Sequence, residues 1–85
     1  MFNVSVCDDS QFDIEKIKNC LSEFSKKEHI DFNISEFSNP EMLMYEVEDG
    51  KIADIFILDV EMPNMNGFDL ADKIREHTET SVIIF

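Results

Sequence analysis

The stretch Ala53-Asp54-Ile55-Phe56-Ile57-Leu58-Asp59 decides the fold of this chain. Ile55 to Leu58 is an unbroken apolar run, too short for a helix core and without the alternation of a strand that has one wet face. It reads as a parallel strand buried on both sides. A carboxylate, Asp59, follows at the C-terminal end of that strand, where open α/β sheets bind ligands. Asp59 is therefore the first candidate for chemistry.

Working outward from this strand, the N-terminal segment Phe2 to Cys7 alternates apolar and small polar residues, as a strand does, and is stopped by Asp8-Asp9. Ser10-Gln11-Phe12-Asp13 has the form of a capping box, followed by Ile14, Ile17, Leu21 and Phe24 at helical spacing. That helix is expected to end at about Lys26 or Lys27, whose charges complement the negative end of its dipole. Ile30, Phe32 and Ile34 alternate with polar residues, a half-exposed strand suited to a sheet edge. Ser38-Asn39-Pro40-Glu41 starts a second helix with Leu43, Met44 and Val47 inward, and Gly50 closes it in the left-handed conformation. After the central strand, Asn66-Gly67-Phe68-Asp69 caps a third helix, with Phe68, Ala71 and Ile74 expected on its inner face. Ser81 to Phe85 reads as a fourth strand.

The order β-α-β-α-β-α-β, with right-handed crossovers, predicts an open parallel α/β sheet. A half-polar second strand and an apolar third give the strand order 2-1-3-4, with the chain changing direction between strands one and three. That switch brings Asp8, Asp9 and Asp59 into one cleft.

Composition narrows the function. The 85 residues allow one domain, short for a doubly wound sheet with both faces covered. A formal charge of −12, from 19 acidic and 7 basic residues, argues against direct nucleic-acid binding by this chain. No segment has the length and apolarity of a membrane span and no signal peptide opens the chain, so the expectation is a soluble cytoplasmic protein. Cys7 and Cys20, without a CxxC or a histidine at ligand spacing, read as reduced packing residues. His29 and His77 read as surface or capping residues.

Three convergent carboxylates repel one another, which raises pKa values or recruits a cation. A hard divalent ion such as Mg2+ answers that demand, with Asp9 and Asp59 as direct ligands and Asp8 as a direct or water-mediated one. An aspartate held beside it is also a competent nucleophile toward phosphorus. An EF-hand starting at Asp59 fails at Pro63, Asn64 and Leu70. A Mg2+-dependent phosphatase of the haloacid-dehalogenase type needs a second aspartate where Glu61 stands.

With Val6-Cys7-Asp8-Asp9 closing the first strand, Ile57-Leu58-Asp59 closing the third, and Met62-Pro63-Asn64-Met65-Asn66-Gly67 after it, the chain resembles the receiver domain of bacterial two-component response regulators. The resemblance covers the whole chain and implies a flavodoxin-like fold. It implies Asp59 as phospho-acceptor, Asp8 and Asp9 as the acidic pair that holds Mg2+, and the backbone carbonyl of Glu61 as a further ligand. It also implies a sensor histidine kinase as phosphoryl donor and a transcriptional output domain. Lys73-Ile74-Arg75 followed by Ile83-Ile84-Phe85 is similar to regulators with a LytTR-type output. Receivers continue past strand four into a switch Ser or Thr, a fifth strand ending in Lys, and two further helices, so the resemblance implies a chain incomplete at its C-terminus. The chain is then a signalling switch, not a turnover enzyme. The rival of another class is a phosphorylation-independent protein-binding module. An uncovered fourth-strand edge and open apolar faces lead to an expected homodimer or other self-association.

Overall fold

The computed structural model describes residues 1–85. Seven elements follow in order: β1 (Phe2–Cys7), α1 (Gln11–Glu28), β2 (Phe32–Phe37), α2 (Pro40–Glu48), β3 (Ile55–Leu58), α3 (Gly67–Arg75) and β4 (Val82–Ile84). The four strands form one parallel sheet in the order β2-β1-β3-β4, as expected from the sequence.

Strand alternation divides the core. Cys7 of β1 and Phe56 and Leu58 of β3 face α2 and α3, where they pack with Leu43, Met44, Val47, Leu70 and Ile74. Val4 and Val6 face the other way, onto Ile14 of α1, with Ile17, Leu21, Ile55 and Ile57 at the margin. Burial of the first group supplies most of the apolar driving force, at about 25 cal/mol per Å2 removed from water.

Three expectations need correction. β3 is fully buried on one side only, since Ile55 and Ile57 are half-buried where a single helix covers the sheet. β2 begins at Phe32 and runs on through Phe37, because its pairing with β1 fixes Phe2 opposite Phe32 and Cys7 opposite Phe37; Ile30 stays in the turn. In α3 the buried residues are Gly67, Leu70 and Ile74, whereas Phe68 points outward and packs against Phe85, with ring centroids 4.7 Å apart and the rings tilted by 48°. Ile74 is inward and Ala71 packs at the core's margin, both as expected, while Leu70, four residues before Ile74, completes the inner face in place of Phe68. Phe24 lies on α1 as its spacing indicated, half exposed and against Phe32.

The helix ends follow their caps. Asn39 and Asn66 accept from the Met42 and Asp69 amides, both at 2.9 Å. α1 ends at His29 in the left-handed region (φ 56°), and Gly50 after α2 has φ 88°. The far end of the sheet is latched by Ser81, whose Oγ donates to the Ala53 carbonyl at 2.6 Å while its own carbonyl accepts from the Arg75 guanidinium at 2.6 Å.

Candidate functional site

The parallel register carries the site. Because Cys7 pairs with Leu58, the residues that follow, Asp8 and Asp59, leave the sheet side by side. Backbone bonds hold them there: the Asp8 amide donates to Phe37 at 3.1 Å and the Asp59 amide to Cys7 at 2.9 Å. Each strand end then turns in the same way. The Ser10 amide donates to Asp8 Oδ1 at 2.8 Å and the Glu61 amide to Asp59 Oδ1 at 3.2 Å, two aspartate-centred turns of i to i+2 spacing.

The first of these turns alters the predicted capping box. Ser10 Oγ accepts from the Asp13 amide at 3.3 Å, as a cap should, but the Ser10 amide is taken by Asp8 rather than by Asp13. The start of α1 therefore orients an acid of the site. D-x-S and D-x-E spacings in the sequence carry this signal, which the capping-box pattern masked.

One carboxylate oxygen from each of Asp8, Asp9 and Asp59 lies within 4.8 Å of the others, the grouping anticipated from the switch point. Asp8 is buried, Asp59 half-buried and Asp9 exposed. Burial pushes the Asp8 carboxyl above its usual range; the Ser10 amide opposes the shift, and the neighbouring Asp59 and Asp13 charges reinforce it. The donor set is hard oxygen throughout, which suits a divalent cation of the Mg2+ type. Glu61 lines the same cleft, of ≈ 530 Å3, with Asp8, Asp59 and Val60; Ile17, Ile57 and Phe85 form its apolar wall. These three apolar residues were not anticipated in the site.

Beneath the acids, Cys7 donates its thiol to Met62 Sδ at 3.7 Å. Burial first, and then the charges of Asp8 and Asp59, push the Cys7 thiol up to about 12, so it stays protonated. Behind Asp59, the loop is closed by the Gly67 amide donating to Val60 at 2.9 Å. Gly67 is needed here for close approach and not for an unusual φ: a Cβ would collide with the Asp59 carbonyl oxygen and stand 3.0 Å from Val60 Cα.

The sequence and fold have parallels in known proteins. The transcriptional regulatory protein NatR of Bacillus subtilis is 33% identical over all 85 residues, and the chain spans 34% of its length. The CheX-CheY-BeF3-Mg complex from Borrelia burgdorferi contains a similar fold, with a TM-score of 0.73 and 27% identity over 96% of this chain and 58% of that one. The complex of histidine kinase ThkA with response regulator protein TrrA gives a TM-score of 0.65 and 29% identity, covering 98% and 66% of the two chains. The sheet order and three helices described above are those of the flavodoxin-like receiver fold. The response regulator receiver domain family matches residues 4–85, and the chain belongs to that family, a signalling module of two-component systems.

Proposed function

We propose that Asp59 accepts a phosphoryl group from the phosphohistidine of a sensor histidine kinase. The observation that carries this reading is the convergence of Asp8, Asp9 and Asp59 within 4.8 Å at the C-terminal edge of the sheet. An Asp59 carboxylate oxygen attacks phosphorus, the P–N bond to the donor imidazole breaks, and its electron pair returns to the ring nitrogen. Asp8, Asp9, Asp59 and the backbone carbonyl of Glu61 would hold Mg2+. Bound there, Mg2+ neutralises charge on the transferring oxygens. The Glu61 amide steadies Asp59 through Oδ1, and the Ser10 amide keeps Asp8 turned into the cleft.

The kinase partner is supported by the complex of ThkA with TrrA, and the metal by the Mg in the CheX–CheY complex. The chain carries the phosphoryl group on its own side chain and turns over no separate substrate. Its charge of −12 leaves DNA contact to an output domain, of the LytTR type suggested by sequence, in a cytoplasmic regulator.

The test is exposure to acetyl phosphate, or to beryllium fluoride, with Mg2+. Wild type gains one phosphoryl group by intact mass, or binds the fluoride mimic, and Asp59→Asn does neither. Equal modification of both proteins refutes the acceptor. Mg2+ at millimolar concentration raises the melting temperature of wild type by mass action, and Asp9→Asn loses most of that rise.

A further inference from the structure

A second concave surface lies between α2 and α3, with no lining residue in common with the acidic cleft. Glu41, Met44, Tyr45, Glu48, Met65 and Lys73 enclose about 270 Å3. Tyr45 is 73% exposed at its centre, although the helix buries Leu43, Met44 and Val47 around it. Glu41, Tyr45 and Glu48 fall at i, i+4 and i+7, a single stripe along α2. Across from them stands Lys73 of α3. None of Glu41, Glu48 and Lys73 takes part in the chain's four ion pairs, which use Lys18 and Lys51.

The groove thus has two acids along α2, a single lysine on the α3 side and an apolar floor. Tyr is over-represented among the residues that dominate binding energy, and the ring is rigid and amphipathic. The two methionines give a floor that adapts to the side chain it meets. Unpaired charges of opposite sign on facing walls select an occupant of matching polarity, because like charges brought together cost affinity. We infer that this groove docks an amphipathic helix of a partner protein, placing an arginine flank on Glu41 and Glu48, an apolar anchor on Tyr45, Met44 and Met65, and an acidic flank on Lys73. The cavity takes one or two anchor side chains, which suits a helix lying along the groove mouth. An arginine beside Tyr45 also gains from the ring face.

The probe is a synthetic helical peptide of about 15 residues, with a leucine spine, arginine on one flank and glutamate on the other. It is titrated into the 15N-labelled full chain at physiological salt. Shift changes are expected at Glu41 to Asp49, Met65 and Lys73. Tyr45→Ala, and Glu41→Gln with Glu48→Gln, each weaken binding about fivefold or more. Glu23→Gln with Glu28→Gln removes the same charge from exposed positions of α1 and changes affinity less than about twofold. Lys73→Glu shifts the preference about fivefold or more toward a peptide with arginine on both flanks. All substituted side chains lie outside the core, so folding is preserved, as circular dichroism checks. Absence of binding, shift changes centred elsewhere, or equal losses in the two glutamine pairs overturns the inference. Asp59→Asn binds the peptide as wild type does, which separates this result from the phosphoryl test.

Discussion

The backbone carbonyl of Asp59 lies so close to Gly67 that a Cβ at that position would collide with it. The first turn of α3 thereby fixes the position of the acid that ends β3. Gly67→Ala is expected to force the two segments apart and to destabilise by about 1–3 kcal/mol, the range for overpacking. It should also lower the rate of phosphorylation by acetyl phosphate, because Asp59 moves with its carbonyl. Gly50→Ala is the contrast. A Cβ there meets nothing within 4 Å, and the cost, about 1 kcal/mol, comes from φ 88° alone. Urea unfolding measures both, and only the first should disturb the site.

Asp8 supplies a pH dependence whose sign is opposite to that of a salt-bridged carboxylate. Its folded-state pKa is raised, so between the unfolded value and the folded value the native state binds more protons than the unfolded chain. The contribution of Asp8 to stability therefore falls as pH rises through that window and stays reduced above it. Asp8→Asn should remove this component. In metal-free buffer the stability of the variant relative to wild type should increase as pH rises from the acid side through the window, by urea midpoints. Millimolar Mg2+ should narrow the difference by stabilising wild type. A difference independent of pH would contradict the burial of Asp8.

The two cysteines should separate cleanly by reactivity. Cys7 is fully buried and its thiol is pushed up to about 12, while Cys20 is exposed on α1. Iodoacetamide at mildly alkaline pH is expected to label Cys20 alone in the native chain and both residues in urea, by peptide mass spectrometry. Cys7 labelling in the native state at a comparable rate would show that β1 opens readily.

The 85-residue chain should associate through β4. This edge strand lies in a segment, Ser81 to Phe85, without a charged residue, and Val82, Ile84 and Phe85 are each about half exposed. The opposite edge, β2, carries Glu36 clamped by Lys18 at 2.8 Å, a charge of the kind that discourages edge pairing. The net charge of −12 opposes association, so it should strengthen with added salt. Light scattering at high micromolar concentration is expected to show a dimer, and Ile84→Lys a monomer. A monodisperse wild-type monomer with strongly protected Val82 to Phe85 amides would refute it.

Element order and type were legible in the sequence because they rest on local physics. The apolar run Ile55 to Leu58, the asparagine caps at Asn39 and Asn66, Pro40 and Gly50 each act within a few residues of themselves. The grouping of Asp8, Asp9 and Asp59 was legible as well, since two acidic strand ends at a change of chain direction must meet. What the chain could not show locally was anything decided by contacts between distant segments. Helical period placed Ala71 and Ile74 inward correctly, but packing against Phe56 and Leu58 completed that face with Leu70 rather than Phe68. The capping-box pattern at Ser10 was correct for its hydroxyl and wrong for its amide, because Asp8 reached that donor first. Gly67 was identified, but its reason was a backbone 8 residues earlier in the chain, brought against it by the β3–α3 loop. Short-range propensity thus specified the elements and the acids they end in, whereas register, burial and close approach, which depend on which surfaces meet, were set only when the sheet assembled.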